Sequence, residues 1–183
     1  AAQTTGVFIQ EVSLEQIANT SGNTTYTDYT NQLATLEFGN FYDLDVLVGG
    51  SNTVTTAVWI DWNNDGDFTD VGENVLTETS TVNPATLSSV INVPGTALPG
   101  TTRMRVSMTR GTTAPTPCAT LPNGEVEDYT IMIASDIIIQ NCVGDIVVSA
   151  APGATEQVVG WIPPKGFSTC QNGIEIEFVS GLD

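Results

Sequence analysis

The chain has 183 residues, with 4 Lys and Arg against 21 Asp and Glu, no His, and a formal charge of −17 at pH 7. This balance excludes a nucleic-acid surface, which needs clustered cations to hold phosphates, and leaves nothing to grip an anionic membrane; cations are the natural partners. Without histidine there is no Ser-His or Cys-His nucleophile pair and no His-ligated zinc or iron, so catalysis would rest on Lys165, the one lysine, or on paired carboxylates.

Period-two alternation recurs along the chain, whereas sustained helical periodicity does not. Phe8 to Leu14 reads as a strand, and Gln16-Ile17-Ala18 leads into a polar turn at Asn19, Ser21 and Gly22. Thr35 to Phe38 and Phe41 to Val48 are strands, with Tyr42, Leu44, Val46 and Val48 on one face of the second. Gly49-Gly50-Ser51-Asn52 marks a turn. Val54 to Trp62 follows, with Val58, Ile60 and Trp62 on one side. After an acidic loop come Asn74 to Thr77 and Ala85 to Val93, then the Pro94-Gly95 to Pro99-Gly100 turn. In Thr102 to Thr109, Met104, Val106 and Met108 face one way and Arg103, Arg105 and Ser107 the other. A loop from Gly111 to Asn123 precedes the strand Glu125 to Ile133. Many short strands between Gly, Pro and Asn turns predict an all-β fold, a β-sandwich of jelly-roll or immunoglobulin-like type.

The character changes near Ser135. Ile137-Ile138-Ile139 starts afresh, and Asp145 to Ser149, Gln157 to Trp161 and Gly173 to Val179 read as further strands. These residues are few for an independent two-sheet core. The expected organisation is one sandwich over residues 1–134 and an incomplete immunoglobulin-like β-domain over 135–183, continued beyond Asp183 or completed by a partner. The strongest apolar run, Ile131 to Ile139, is short and interrupted by Asp136, so no membrane insertion is expected. The N-terminus lacks a signal-peptide pattern, which a removed or upstream signal would explain. The three cysteines, Cys118, Cys142 and Cys170, cannot all pair with one another.

The segment Asp61 to Glu73 carries the chemistry. Asp61, Asn63 and Asp65 stand at every second position, followed by Gly66 at the sixth place of the loop. Calcium needs six to eight oxygens at about 2.3–2.6 Å, and a curled loop with alternating oxygen side chains supplies them. The candidate ligands are Asp61, Asn63, Asp65, Asp67, Asp70 and Glu73, with Asp67 offering side chain, main-chain carbonyl or both. Gly72 occupies the twelfth place, where an EF-hand carries a bidentate Glu, and the incoming segment is a strand. The pattern therefore points to a structural calcium loop between strands; a solvated hairpin turn at Asp65-Gly66 is the competing reading. Five carboxylates in this loop with no basic residue among them would repel one another without a counter-ion.

A second acidic cluster is Gly124-Glu125-Val126-Glu127-Asp128-Tyr129. On a strand Glu125, Glu127 and Tyr129 share one face, and Val126 and Asp128 the other. Three of the four basic residues, Arg103, Arg105 and Arg110, lie in the preceding strand region. The economical inference is a structural ion pair of Arg105 with Glu127 or Asp128, the alternative being that one of these acids reaches the calcium. Trp59, Trp62, Trp161, Tyr26, Tyr29 and Tyr42 would either stack sugars on an exposed platform or serve as core and rim aromatics.

The stretch from Trp59 to Glu73, then Thr102-Arg103-Met104-Arg105-Val106-Ser107, Cys118 and Gly124 to Tyr129 resembles the GEVED domain over about residues 7–134. The resemblance implies a β-sandwich module of large secreted or cell-surface proteins of Bacteroidota, often exported by the type IX system. Members often carry an early cysteine, and this chain has none before Cys118. Asn141-Cys142-Val143-Gly144-Asp145-Ile146, Val158 to Pro164 and Cys170 resemble the first half of a HYR domain. That likeness implies that Cys142 pairs beyond Asp183, with a Cys142–Cys170 bridge as the alternative.

Together these readings predict a non-catalytic, calcium-stabilised structural or adhesion module at the extracellular face of a bacterial cell, including gliding or filamentous adhesins. Its partners would be neighbouring domains of the same long chain, surface glycans or other surface proteins. The alternative is a carbohydrate-binding accessory module of a secreted hydrolase.

Overall fold

A computed structural model describes residues 6–50, 52–121 and 123–134, together with the backbone of 137–140 and 165–168. In chain order the strands are β1 (Val7–Leu14), β2 (Ile17–Thr20), β3 (Tyr26–Glu37), β4 (Phe41–Gly50), β5 (Val54–Ile60), β6 (Asn74–Ser80), β7 (Ala85–Asn92), β8 (Gly100–Arg110), β9 (Gly124–Ala134), β10 (Ile137–Gln140) and β11 (Lys165–Ser168). Among the described residues there is no helix long and apolar enough to cross a membrane. The chain divides into two compact units, Ala1–Ala134 and Ser135–Asp183.

The first unit is a two-sheet sandwich, as expected. One sheet has the order β2-β1-β4-β7 and the other β3-β9-β8-β5-β6. The alternation of each strand turns one row of apolar side chains inward, which is what makes the two layers pack. Ile9, Val12, Leu14, Leu44, Val46, Val48, Leu87 and Ile91 come from the smaller sheet, and Val58, Ile60, Met104, Val106, Met108, Ile131 and Ile133 from the larger. Val7 and Ile9 point inward, yet so do Val12 and Leu14. The phase change is a bulge: the register with β4 jumps from Ile9↔Val48 to Glu11↔Leu47, leaving Gln10 as the extra residue.

Three elements differ from their sequence reading. β2 is a strand where a turn is expected, because Asn19 is buried and spends its amide nitrogen on the Tyr129 hydroxyl at 2.8 Å. β3 begins at Tyr26, well before Thr35. It is an edge strand, parallel to β9, with a register break between Tyr29 and Leu33, and only Ala34 and Leu36 are fully buried. Its polar first half therefore lacks the apolar signature of a strand. β5 ends at Ile60, and every one of its residues is buried. Val54, Val58 and Ile60 join the core, while Ala57 and Trp59 pack with Phe68 on the outer face.

In the second unit β10 and β11 form an antiparallel pair, Ile137↔Ser168 to Gln140↔Lys165. β11 lies where no strand is expected. The expected strands at 145–149, 157–161 and 173–179, the residues that carry the HYR resemblance, Cys142 and Cys170 lie outside the described residues.

Candidate metal site

The acidic loop connects β5 to β6, which are hydrogen-bonded neighbours. Its two ends are locked by main-chain bonds, with Ile60 N–H donating to the Glu73 carbonyl at 2.9 Å and Asp61 N–H to the Arg103 carbonyl at 3.1 Å. Within that frame the six candidate ligands fall into two groups.

Asp61 and Glu73 are buried, at 4% and 1% exposure. The Asp61 carboxylate accepts the amides of Asp65 at 3.2 Å and Gly66 at 3.1 Å. Glu73 accepts the amides of Trp62 at 3.2 Å and Asp70 at 3.0 Å. Each carboxylate thus satisfies loop N–H groups that no ladder serves, which is what allows the loop to curl. Burial raises the Glu73 pKa, the Asp70 and Trp62 amides oppose that shift, and the Asp61 and Asp70 charges add to it. The curl also needs Gly66 at φ 91°, a backbone conformation costly for a side chain.

Asp65, Asp67 and Asp70 are exposed, and each offers a carboxylate oxygen so that all three lie within 4.8 Å of one another. Asn63 sits among them, its amide nitrogen donating to Asp65 at 3.0 Å and to Asp70 at 2.7 Å. The Thr69 amide and hydroxyl both donate to Asp67 at 2.8 Å and lower its pKa. The cluster is all oxygen and carboxylate-rich, the donor chemistry of a hard divalent cation. An oxygen spacing within 4.8 Å fits a coordination sphere whose diameter is about twice the 2.3–2.6 Å of a calcium–oxygen bond.

Phe68 folds the loop back onto the sheet, packing on Ala57 and Trp59. The sequence marks Phe68 only as a lone aromatic among acids. Trp59 and Trp62 are 5% and 4% exposed, so neither offers a sugar-stacking face. Trp62 instead donates its indole N–H to the Gly72 carbonyl at 3.0 Å. Tyr29 stacks on Tyr129 at 5.6 Å between ring centres, and the Tyr42 hydroxyl accepts the Glu37 amide at 2.8 Å. Of the named tyrosines Tyr26 alone is exposed, at 52%. Trp161 lies outside the described residues.

The second acidic cluster lies on β9 and splits between its two faces. On the outer face Arg105 grips Asp128 in a two-pronged pair, Nε to Oδ1 at 2.7 Å and Nη2 to Oδ2 at 2.6 Å. Between the two partners left open by the sequence, Arg105 takes Asp128. It also donates to the Pro117 carbonyl at 2.9 Å and stands over the Phe68 ring at 5.5 Å. One side chain thereby ties the acidic loop and the 111–123 loop to the sheet.

On the inner face Glu125 and Glu127 point between the sheets, 1% and 0% exposed. Glu125 accepts the Ile9 amide at 2.8 Å, the Thr24 amide at 3.0 Å and the Thr24 hydroxyl at 2.6 Å. Its pKa is still raised, burial outweighing those bonds. Glu127 accepts the Tyr129 hydroxyl at 2.8 Å, the end of a chain that runs from Gln32 through Asn19 to Tyr129. Its Oε1 has no hydrogen-bond partner, the neighbouring Ser21 hydroxyl giving its bond to the Ile9 carbonyl at 2.9 Å. Burial pushes the Glu127 pKa up to about 7, against the Ser21 and Tyr129 hydroxyls and with the charge of Glu125. Neither glutamate belongs to the exposed carboxylate cluster. Gly124, which opens this strand, lies so close to β8 that a Cβ there would sit 2.2 Å from the Met108 carbonyl oxygen.

No curated protein matches the chain. A solved family 123 glycoside hydrolase from Clostridium perfringens aligns over 61% of this chain and 23% of its own, at 13% identity and a TM-score of 0.37, a similarity that carries neither fold nor activity across. The GEVED domain model matches residues 55–132, the span that runs from β5 through the acidic loop and the Arg105–Asp128 pair to β9.

Proposed function

We propose that the first sandwich is a non-catalytic, calcium-stabilised structural and adhesion module of a large secreted or cell-surface protein. The observation that supports it is the convergence of the Asp65, Asp67 and Asp70 carboxylates on a loop whose ends are buried and locked. Those three residues would hold the ion, and Asn63 would join them by turning its amide oxygen inward. Asp61 and Glu73 would shape the loop around it. The ion supplies charge compensation for the cluster and binds the folded loop alone, so occupancy stabilises the fold. Calcium suits an exposed, pliable oxygen cluster better than magnesium, which demands a tight octahedral shell.

The GEVED match supports a module that works beside other domains. The second unit would be the start of an immunoglobulin-like HYR repeat, making neighbouring domains of the same chain the first partners. Surface glycans and other surface proteins at the cell exterior follow as further partners, in gliding or other adhesins exported by a type IX system.

Calorimetric titration of the chelator-stripped chain tests the reading. One calcium should bind with a Kd at or below about 1 mM, the range of extracellular modules. Binding should vanish in D65N/D67N/D70N. Undiminished binding in that variant, or none up to about 10 mM calcium, overturns the assignment.

A further inference from the structure

The outer face of the larger sheet is covered by two loops, and between them it is open. The acidic loop lies over β5 through Phe68, and the 111–123 loop is held through Pro117. A cleft of about 620 Å³ separates them, lined by Asn64, Phe68, Thr101, Arg103, Cys118 and Thr130 among others.

Arg103 is the anomaly of this cleft. Its side chain is 52% exposed; among the described residues its one ion pair is with Asp128 at 3.6 Å, and Asp28 feels its charge without bonding to it. That carboxylate is fully buried and already holds Arg105 on both oxygens, with the Tyr26 hydroxyl at 3.2 Å as well. Among the described residues the Arg103 guanidinium donates no hydrogen bond. In a chain with four cations against 21 acids, one of those cations stands at a cleft with its donors unspent. A planar guanidinium in that state matches a carboxylate.

Of the other charged groups in the wall, the buried Asp61 carboxylate accepts the Asp65 and Gly66 amides and Arg105 is held by Asp128, so the groups left to a ligand are hydroxyls and an amide. Asn64 offers an amide, Thr101 an exposed hydroxyl, and Thr130 a hydroxyl that donates to the Thr30 carbonyl at 2.8 Å and keeps its acceptor capacity. An extended peptide fits less well. β8 and β9 form the floor, and both are interior strands with neighbours on each side, so the floor offers no free backbone edge for strand addition; the edge strand β3 borders the cleft through Thr30.

We infer that the cleft between the 61–73 and 111–123 loops binds a saccharide bearing a carboxylate, with Arg103 receiving the acid and Thr101, Thr130 and Asn64 the hydroxyls. This goes beyond the calcium reading, and its test is run at saturating calcium so that failure here leaves that reading standing.

The experiment is an amide NMR titration of the whole chain with trigalacturonate, against the uncharged galactose trimer and an acidic tripeptide. Trigalacturonate should give saturable shifts at residues 64–66, 101–103 and 130. R103Q should weaken binding about tenfold, the loss expected for a charged hydrogen-bonding partner. T101V, on an exposed hydroxyl, should weaken it about two- to fivefold without touching any charge. Both variants should melt as the parent does, since Arg105 continues to hold Asp128. No saturable shift, undiminished binding in R103Q, or equal affinity for the uncharged trimer or the tripeptide would overturn the inference.

Discussion

Arg105 and Asp128 face each other across β8 and β9, paired by two hydrogen bonds of 2.7 and 2.6 Å, with the carboxylate wholly buried and the guanidinium side chain 19% exposed. Because Arg105 also reaches Pro117 and Phe68, this pair is where the sheet, the acidic loop and the 111–123 loop meet. Removing the cation leaves a buried carboxylate whose nearest remaining charge is Arg103 at 3.6 Å. R105A should therefore lower unfolding free energy by about 3–5 kcal/mol in a urea titration. R105K, which keeps the charge but loses the fork, should fall between the two. An R105A effect below about 1 kcal/mol would mean the pair is an ordinary surface contact.

Glu127 gives stability a pH dependence of defined sign. Its pKa lies near 7 in the folded chain against 4.5 unfolded, so below pH 4.5 both states hold the proton. As pH rises from 4.5 to 7 the unfolded chain releases that proton first, and stability falls; above 7 the loss is complete. Its upper bound is about 3 kcal/mol. Glu73 and Glu125, also raised by burial, act in the same direction. Asp28 and Asp67, lowered by their threonine neighbours, act oppositely at more acid pH. Chemical denaturation at pH 5 and pH 8 should show the parent more stable at pH 5, and E127Q should flatten that difference.

The two groups of loop acids should separate by mutation. In chelator, D61A strands the Asp65 and Gly66 amides and should cost about 1–3 kcal/mol. D67N, at an exposed position whose Thr69 bonds the amide oxygen can still accept, should change stability in chelator by less than about 0.5 kcal/mol yet weaken calcium binding. Paired calcium titrations and urea melts on both variants check the split.

Much of this was legible from the chain itself. The two-sheet fold follows from alternation, and the acidic loop from oxygen side chains at every second place before Gly66. The Arg105 partner stayed open because strand pairing, and with it the choice between Glu127 and Asp128, is set by register that alternation alone does not contain. Nor does alternation say that Glu125 and Glu127 form the inner row: charged residues ordinarily face water, and here Thr24, Ile9 and Tyr129 supply hydrogen bonds in its place. The first half of β3, from Tyr26 to Ala34, carries no strand signature because an edge strand with solvent on one side needs few apolar residues. For Trp59 and Trp62 the choice between a sugar platform and the core stays open in the sequence, since alternation does not show that β5 is covered on both faces.

Gly124 should tolerate no side chain. A Cβ would meet the Met108 carbonyl oxygen at 2.2 Å, which cannot yield without opening the β8–β9 ladder, and would also crowd the Leu121 side chain at 3.0 Å. G124A should destabilise by about 1–3 kcal/mol in thermal unfolding, the range for overpacking. G95A, where a Cβ meets nothing within 4 Å, is the control and should leave the transition within about 0.5 kcal/mol of the parent.

A calcium ion held by the loop should stabilise the fold, and thermal unfolding in chelator against millimolar calcium measures that stabilisation. At a calcium concentration about 100-fold above Kd the stabilisation is about 2.7 kcal/mol, which should raise Tm by roughly 5–10 °C and do so only while Asp65, Asp67 and Asp70 are intact. A transition that stays at the same temperature across all calcium concentrations would contradict it.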